Sequence, residues 1–381
     1  MDAHFDTKVV QSTLKTKAPI RSKTTPIYQT SAYSFRSLDE LEAFYQGDET
    51  APYLYTRVGN PNTDELGQTV AKLENAEAGV ATSSGLSAIL AGVLAVAKQD
   101  DHIVATQDLY GGTYQLFSHE LKHQGIDVSF VDFSKSQAIE DAIQSNTVLV
   151  YSESITNPLL LVEPIETIAA IAKKKQVVLM VDNTFATPYV CRPSDAGADL
   201  VVHSATKYIG GHSDVTAGVV VGNEKWITKA RSVVVNLGLS LSPFEAWLAC
   251  RGLKTLSVRM ERQVTNAEAV ASKLSGYQGI EKVYHPSLAG ESIGCAIVTI
   301  ALEEKAAMDR FFASLNWIKF VATLAGVETT VSYPIATSHR ALPPELLANT
   351  GITKQHVRIS VGIEHVDDIV SSLKEAVDAA Y

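Results

Sequence analysis

From about residue 60 onward, apolar and polar positions fall into short blocks of alternating type. TDELGQTVAKLEN (63–75) predicts a helix with Thr63 as its N-cap. LSAILAGVLAVA (86–97) is apolar nearly all round, which marks a buried helix. HIVAT (102–106) reads as a strand, and TYQLFSHELKHQ (113–124) as a helix closed by Gly125. DVSFVD (127–132) is a strand, SQAIEDAIQ (136–144) a helix and TVLVYSE (147–153) a strand. PIETIAAIAKKKQ (164–176) has proline in its first turn and lysines in its last, as a helix prefers. VVLMVDN (177–183), DLVVHS (199–204) and AGVVVG (217–222) are further strands.

Strands alternating with helices imply an α/β fold with a mostly parallel sheet covered on both faces. Ligands bind such sheets at the carboxyl ends of the strands. Glu153, Asp182 and Ser204 all fall there. Residues 223–260 read as helical and connecting. A smaller C-terminal α/β domain is expected over 261–381, with helix 264–274, strand 295–300, helix 303–314, strand 356–360 and helix 365–379. The large domain then spans 61–260.

Residues 1–60 carry no such pattern. Pro19, Pro26, Pro52, Pro61, Gly47 and Gly59 break them up, and an irregular arm is expected. An arm this long suits a contact with a neighbouring subunit. Tyr28, Tyr33, Tyr45, Tyr53 and Tyr55 fit that contact, since aromatic residues are enriched at interfaces. Folding back on its own subunit is the alternative.

The net charge of −10 comes without a basic block, which disfavours nucleic acid and anionic membranes as partners. The apolar runs fall short of the ~20 residues a membrane helix needs. Cys191, Cys250 and Cys295 form neither a disulfide framework nor a zinc motif, and a cytoplasmic setting is expected. His119 and His123 spell H-E-x-x-H, but no other part of a metalloprotease pattern accompanies them, and no metal is expected.

HSATKYIGGHSD (203–214) places Lys207 among Ser204, Thr206 and two glycines after a buried strand. A lysine desolvated there suits Schiff-base chemistry, and the flanking hydroxyls suit a phosphate. Alone, Lys207 also fits a solvated turn. Asp182 ends the preceding strand, where a carboxylate can keep a pyridinium nitrogen protonated. Alone, it also fits a loop cap. The pair on successive strands says more than either residue.

Ser83, Ser84 and Gly85 precede the buried helix, whose free N–H groups form an anion site or an ordinary cap. Tyr110 before two glycines can stack on a ring or fill a turn. Tyr55 and Arg57, two apart on an extended stretch, can grip one phosphate or form a surface pair. Arg358 lies in an apolar strand and needs a carboxylate, either a substrate's or a protein's.

The chain resembles the pyridoxal 5'-phosphate (PLP)-dependent enzymes of cysteine and methionine metabolism, the trans-sulfuration family. TPIYQTSAY (25–33), YLYTRVGNPNT (53–63), SSGLSAI (83–89), DLYGGTY (108–114), ESITNP (153–158), VDNTFATPY (181–189), HSATKYIGGHSD (203–214) and VRISVGIE (357–364) carry the likeness. It implies the fold-type I, aspartate aminotransferase-like architecture and a homotetramer of two tight dimers. It further implies that Lys207 is the Schiff-base lysine and proton shuttle. Asp182 pairs with the pyridine nitrogen, and Tyr110 stacks on the ring. Gly85, Leu86, Ser204 and Thr206 hold the phosphate, Tyr55 and Arg57 reach the phosphate of the neighbouring subunit, and Thr184 lines the ring. Asn157 approaches ring and substrate, and Arg358 binds the substrate's α-carboxylate.

The resemblance also bears on the reaction. Glu328 matches the glutamate of γ-acting members, and Thr329 stands where a serine often positions substrate. Thr323-Leu324-Ala325-Gly326 replaces the familiar S-L-G-G. Leu54 stands where cystathionine-specific members carry an acid, and Gly112 where methionine γ-lyases usually carry cysteine. GNPNT is one residue longer than usual, and the stretch from His285 to Gly294 is short. The reading that results is a carbon–sulfur lyase performing α,γ-elimination, with α,β-elimination as a side activity. Its substrates are cystathionine, homocysteine or methionine. A γ-replacement enzyme, a cystathionine β-lyase, an aminotransferase and a non-catalytic binding protein are the alternatives.

Overall fold

A computed structural model describes residues 3–12, 22–48, 53–340, 342, 347 and 350–381. Pro19 and Pro52 lie outside them. Seven strands build the large sheet: β1 (Ala78–Thr82), β2 (His102–Thr106), β3 (Asp127–Val131), β4 (Thr147–Glu153), β5 (Val178–Asp182), β6 (Leu200–His203) and β7 (Gly218–Gly222). Their order is β1-β7-β6-β5-β4-β2-β3. Strands β3, β2, β4, β5 and β6 run parallel, while β7 is antiparallel to both of its neighbours. The sheet is therefore mixed at one side. That reversal matters for the site. Because β7 runs back against β6, the segment 204–217 that joins them needs no crossover helix, and it stays at the carboxyl edge of the parallel strands.

The expected strands are present to within a residue or two, but β1 has no counterpart among them. Its AGVAT carries Val80 and Thr82, but Ala78, Gly79 and Ala81 are types depleted in strands. Its position depends on smallness instead. A Cβ on Gly79 would lie 2.3 Å from the Gly67 carbonyl oxygen, so the helix Pro61–Leu73 approaches β1 backbone to backbone. That helix is capped three residues earlier than predicted, with Asn60 rather than Thr63 as N-cap: the Asn60 side chain accepts the Asn62 N–H at 2.9 Å. Pro61, pre-set for a first helical turn, explains the shift. The helix predicted over 113–124 runs from Gly111 and takes a π-helical form over Leu116–Leu121.

The smaller C-terminal domain has a five-stranded sheet in the order β10-β11-β12-β9-β8. Its strands are β8 (Ile280–Tyr284), β9 (Ile297–Leu302), β10 (Lys319–Phe320), β11 (Thr330–Ser332) and β12 (His356–Ser360). Only β9 and β12 are visible as patterns in the sequence; β8, β10 and β11 are short or solvent-lined. Helices Leu256–Leu274 and Val366–Ala379 bury Leu274, Leu373 and Val377 against Val298 and Ile359. The first of these helices begins eight residues earlier than predicted and runs through the expected boundary at 260/261, so it ties the two domains together. The predicted helix 303–314 shortens to Met308–Ala313.

The N-terminal segment is less irregular than its composition implies. It holds helices Phe5–Val10 and Leu38–Tyr45. Much of it folds back on its own chain: Val9 is fully buried in the large-domain core, Trp247 donates to the Thr25 carbonyl, and Asn60 donates to the Tyr28 carbonyl and the Tyr33 hydroxyl. Leu38 and Tyr45, by contrast, are 82% and 67% exposed, and Tyr55 and Arg57 are exposed as well.

Candidate active site

At the carboxyl edge of the large sheet lies a cavity of about 480 Å³. Its floor comes from strand ends: Glu153 of β4, Asp182 of β5 and Ser204 after β6. Gly85 and Leu86 begin the buried helix Gly85–Val96 on one side. Tyr110 closes another, and Ala322, Leu324 and Arg358 come from the small domain. Concavities of about 590 and 680 Å³ lie elsewhere on the surface, but neither has a lysine beside a strand-end carboxylate.

Lys207 projects into this cavity from the β6–β7 connection, and its Nζ donates to Thr323 Oγ1 at 3.0 Å. Burial, and then the charge of Arg358, lower its pKa to about 8. A lysine so tuned is a nucleophile near neutrality, because a sizeable fraction of the amine is unprotonated. Asp182 is half-buried at the floor. Burial raises its pKa, and the hydrogen bond from Thr184 N–H to Oδ1, at 2.9 Å, works against that and favours the charged form. Thr184 Oγ1 in turn accepts the Ser204 N–H at 2.8 Å, which ties the Asp182 wall to the Lys207 loop.

A phosphate-sized cup forms where the helix start meets that loop. Ser84 caps the helix by accepting the Ser87 N–H, which leaves the N–H groups at Gly85 and Leu86 free for an anion. A Cβ at position 85 would lie 2.7 Å from Ser204 Cβ, so only glycine permits the approach. Thr206 lines the cavity, but its hydroxyl already bonds the Ala217 backbone in both directions.

Arg358 is 2% exposed. One of its terminal nitrogens donates to Asn157 Oδ1 at 2.9 Å, while Nε has no partner. Burial lowers its pKa to about 10, and no carboxylate among the described residues offsets its charge. A buried guanidinium in that state can receive a carboxylate.

Not every expected residue meets at the cavity. Tyr55 and Arg57 lie outside it; Arg57 donates to the Val235 carbonyl and lies 5.7 Å from the Tyr55 ring. Leu54 is likewise outside. Glu328 pairs with Lys319 at 3.6 Å, away from the lining. Thr329 is buried, and its hydroxyl donates to Glu364 and accepts the Gly362 N–H, so it shapes the loop rather than touching the cavity. Gly112 lies directly under Tyr110, where a Cβ would come within 2.5 Å of the ring. His119 meets Ser118, and no cluster of three or more metal-ligating side chains occurs among the described residues. The residue that sequence reasoning left without a role is Glu153; its place after a strand, next to the Asp182 strand, was the available signal.

A lysine and a half-buried strand-end aspartate lining one cavity, with a glycine-lined anion cup between helix and loop, suit PLP, and the scaffold is fold-type I, aminotransferase-like. The chain belongs to the Cys/Met metabolism PLP-dependent enzymes, whose family model matches residues 6–378. It is 40% identical over 369 residues to an L-methionine gamma-lyase of Porphyromonas gingivalis, covering 93% of this chain and 92% of the relative. It is 37% identical over 383 residues to a cystathionine beta-lyase of Lactococcus lactis, covering 98% of each. A solved structure from Campylobacter jejuni, described as an O-acetylhomoserine (thiol)-lyase and carrying a pyridoxyl-lysine 5'-monophosphate, superposes with a TM-score of 0.94 at 29% identity. That match covers 99% of this chain and 100% of the other. PLP is the cofactor of this protein. The three relatives bear three different reaction names, so kinship alone does not choose among them.

The lowered pKa of Lys207 has a measurable consequence. When PLP is added to cofactor-free protein, the rate of covalent capture is expected to rise up to about pH 8 and then level off, because the neutral amine is the reactive form. An ordinary lysine would keep accelerating to about pH 10. A profile still climbing steeply at pH 9.5 would contradict the burial argument.

Proposed function

We propose that the protein is a carbon–sulfur lyase that performs α,γ-elimination, with some α,β-elimination, on cystathionine, homocysteine or methionine, releasing a 2-keto acid, ammonia and a thiol. Bound in this cavity, PLP supplies an electron sink for negative charge developing at the substrate's α-carbon. The observation that carries the reading is Arg358, a buried cation with an amide partner but no carboxylate, in the same cavity as the Lys207 amine. Arg358 receives the α-carboxylate, and Asn157, fixed by Arg358, orients it. Lys207 holds the cofactor and, once freed by the substrate's amine, takes the α-proton. Reaching Cγ needs a second proton removal, at Cβ. Lys207 and Tyr110 both line the cavity, and in this proposal they share that work.

Glu328 matches the glutamate of γ-acting members in sequence, although in this chain it pairs with Lys319 outside the cavity lining, and the relatives include L-methionine gamma-lyases beside cystathionine beta-lyases. A replacement enzyme is the competing reading, since the same residues could serve capture by a thiol. Supplying an acylhomoserine with cysteine separates the two. Keto-acid release outrunning cystathionine formation supports the lyase; steady cystathionine formation overturns it.

The working unit in this proposal is a homotetramer of two tight dimers, with Tyr55 and Arg57 completing the phosphate site of the neighbouring subunit. Their exposure and their distance from their own cavity support it. Mixing Arg57→Ala with Lys207→Ala subunits should restore activity in mixed dimers. No recovery despite proven subunit exchange would remove the shared site.

A further inference from the structure

Glu153 ends β4 inside the cavity, and nothing above gives it a task. It is 5% exposed and sits directly opposite Asp182 in the pairing of β4 with β5. Two carboxyl groups thus end adjacent parallel strands in one enclosed space. Glu153 Oε1 accepts the backbone N–H of Tyr110 at 2.8 Å.

Tyr110 is held at its backbone. It precedes the short helix Gly111–Gln115, with no side-chain cap. Behind it, a Cβ on Gly111 would come within 1.9 Å of the Ser338 carbonyl oxygen, so the small domain presses on this turn. Beneath it, Gly112 leaves just the room that the ring occupies. The Glu153 bond ties this turn to the end of β4, and so to the sheet.

We propose that Glu153 is a positioning residue that works as a neutral carboxylic acid: its carbonyl oxygen fixes the Tyr110 turn, and so the ring over the cofactor, while Asp182 alone carries the negative charge at the floor. The charge assignment follows from surroundings. Burial first, and then the neighbouring Asp182, push Glu153 well above the usual carboxylate range, and Glu163 and Asp108 add in the same sense. Glu153 has one contact that opposes this, the Tyr110 N–H, whereas Asp182 has the hydroxyl and N–H of Thr184, the Tyr151 hydroxyl and the positive influence of His203. When two like charges share a site, the better-supported one ionises and the other keeps its proton.

The proposal rests on Tyr110 stacking on the cofactor ring, so the test reads the ring directly. The probe is the visible circular dichroism of the bound cofactor, with cofactor retention on dialysis as a second readout. Glu153→Ala should at least halve the signal and weaken retention about tenfold, the effect of losing one buried hydrogen bond. Glu153→Gln keeps the carbonyl and replaces O–H by N–H, and should recover both to within about threefold of the parent. In the double variant with Tyr110→Ala, the two losses should not add, because both act through one ring. Three results would overturn the proposal: Glu153→Gln as damaged as Glu153→Ala, which would mean that a carboxylate is needed; losses that add with Tyr110→Ala, which would mean that Glu153 acts independently; or Tyr110→Ala leaving the signal unchanged, which would also remove the stacking role. None of these readouts depends on the substrate.

Discussion

Lys207→Ala is expected to lower turnover by about a thousandfold or more, because in the proposed mechanism one side chain supplies both the covalent hold on PLP and the proton transfer. The amine has no substitute nearby. Its partner Thr323 is a hydroxyl, and Arg358 stays protonated even with its pKa lowered to about 10. The variant should still fold, since a half-buried lysine whose pKa is lowered by burial gives little to stability. It should also still bind PLP through the anion cup and Asp182. Borohydride reduction, which should fix the cofactor to the parent protein, should then leave no adduct. An adduct that persists and maps to another lysine would overturn the assignment of Lys207.

Arg358→Leu separates binding from folding. If Arg358 waits for a substrate carboxylate, its loss should lower kcat/KM by about a hundredfold, with most of the effect in KM. Thermal stability should hold or rise, because the folded protein keeps a cation buried with one hydrogen bond and an unpartnered Nε. Removing such a charge in favour of an apolar side chain is commonly neutral or stabilising. A structural ion pair gives the opposite result: a large fall in melting temperature with KM unchanged.

How much of this was legible in the sequence depends on which force sets each element. The strands β2, β4, β5, β6 and β7 are buried on both faces, so they stand out as apolar runs. β1 does not, because Gly79 is selected by a close backbone approach to Gly67 rather than by side-chain burial. Short β10 and β11 are fixed by pairing with their neighbours, a tertiary effect with no local signature. The antiparallel turn of β7 is likewise a matter of topology, which alternation of strands and helices cannot reveal.

The same distinction runs through the site. Lys207, Asp182 and Gly85 are given by position at strand and helix ends, and the fold brings them together. Glu328 and Thr329 are close to the motif in sequence, but a chain turn points them elsewhere: Glu328 to Lys319, Thr329 to Glu364. Tyr55 and Arg57 lie outside their own cavity, so one chain's sequence can mark them without saying which site they serve. Glu153 was passed over because its bond to Tyr110 joins residues 43 apart, and only the folded chain makes that pairing visible.

The reaction itself is tested most directly by the products. Purified holoenzyme is given cystathionine, homocysteine, methionine and cysteine side by side, and the keto acid is identified for each. The account predicts 2-oxobutanoate from the first three, with kcat/KM for γ-elimination at least equal to that for pyruvate release. Pyruvate from cystathionine or cysteine dominating by more than about tenfold, equivalent to ~1.4 kcal/mol at the transition state, would contradict it.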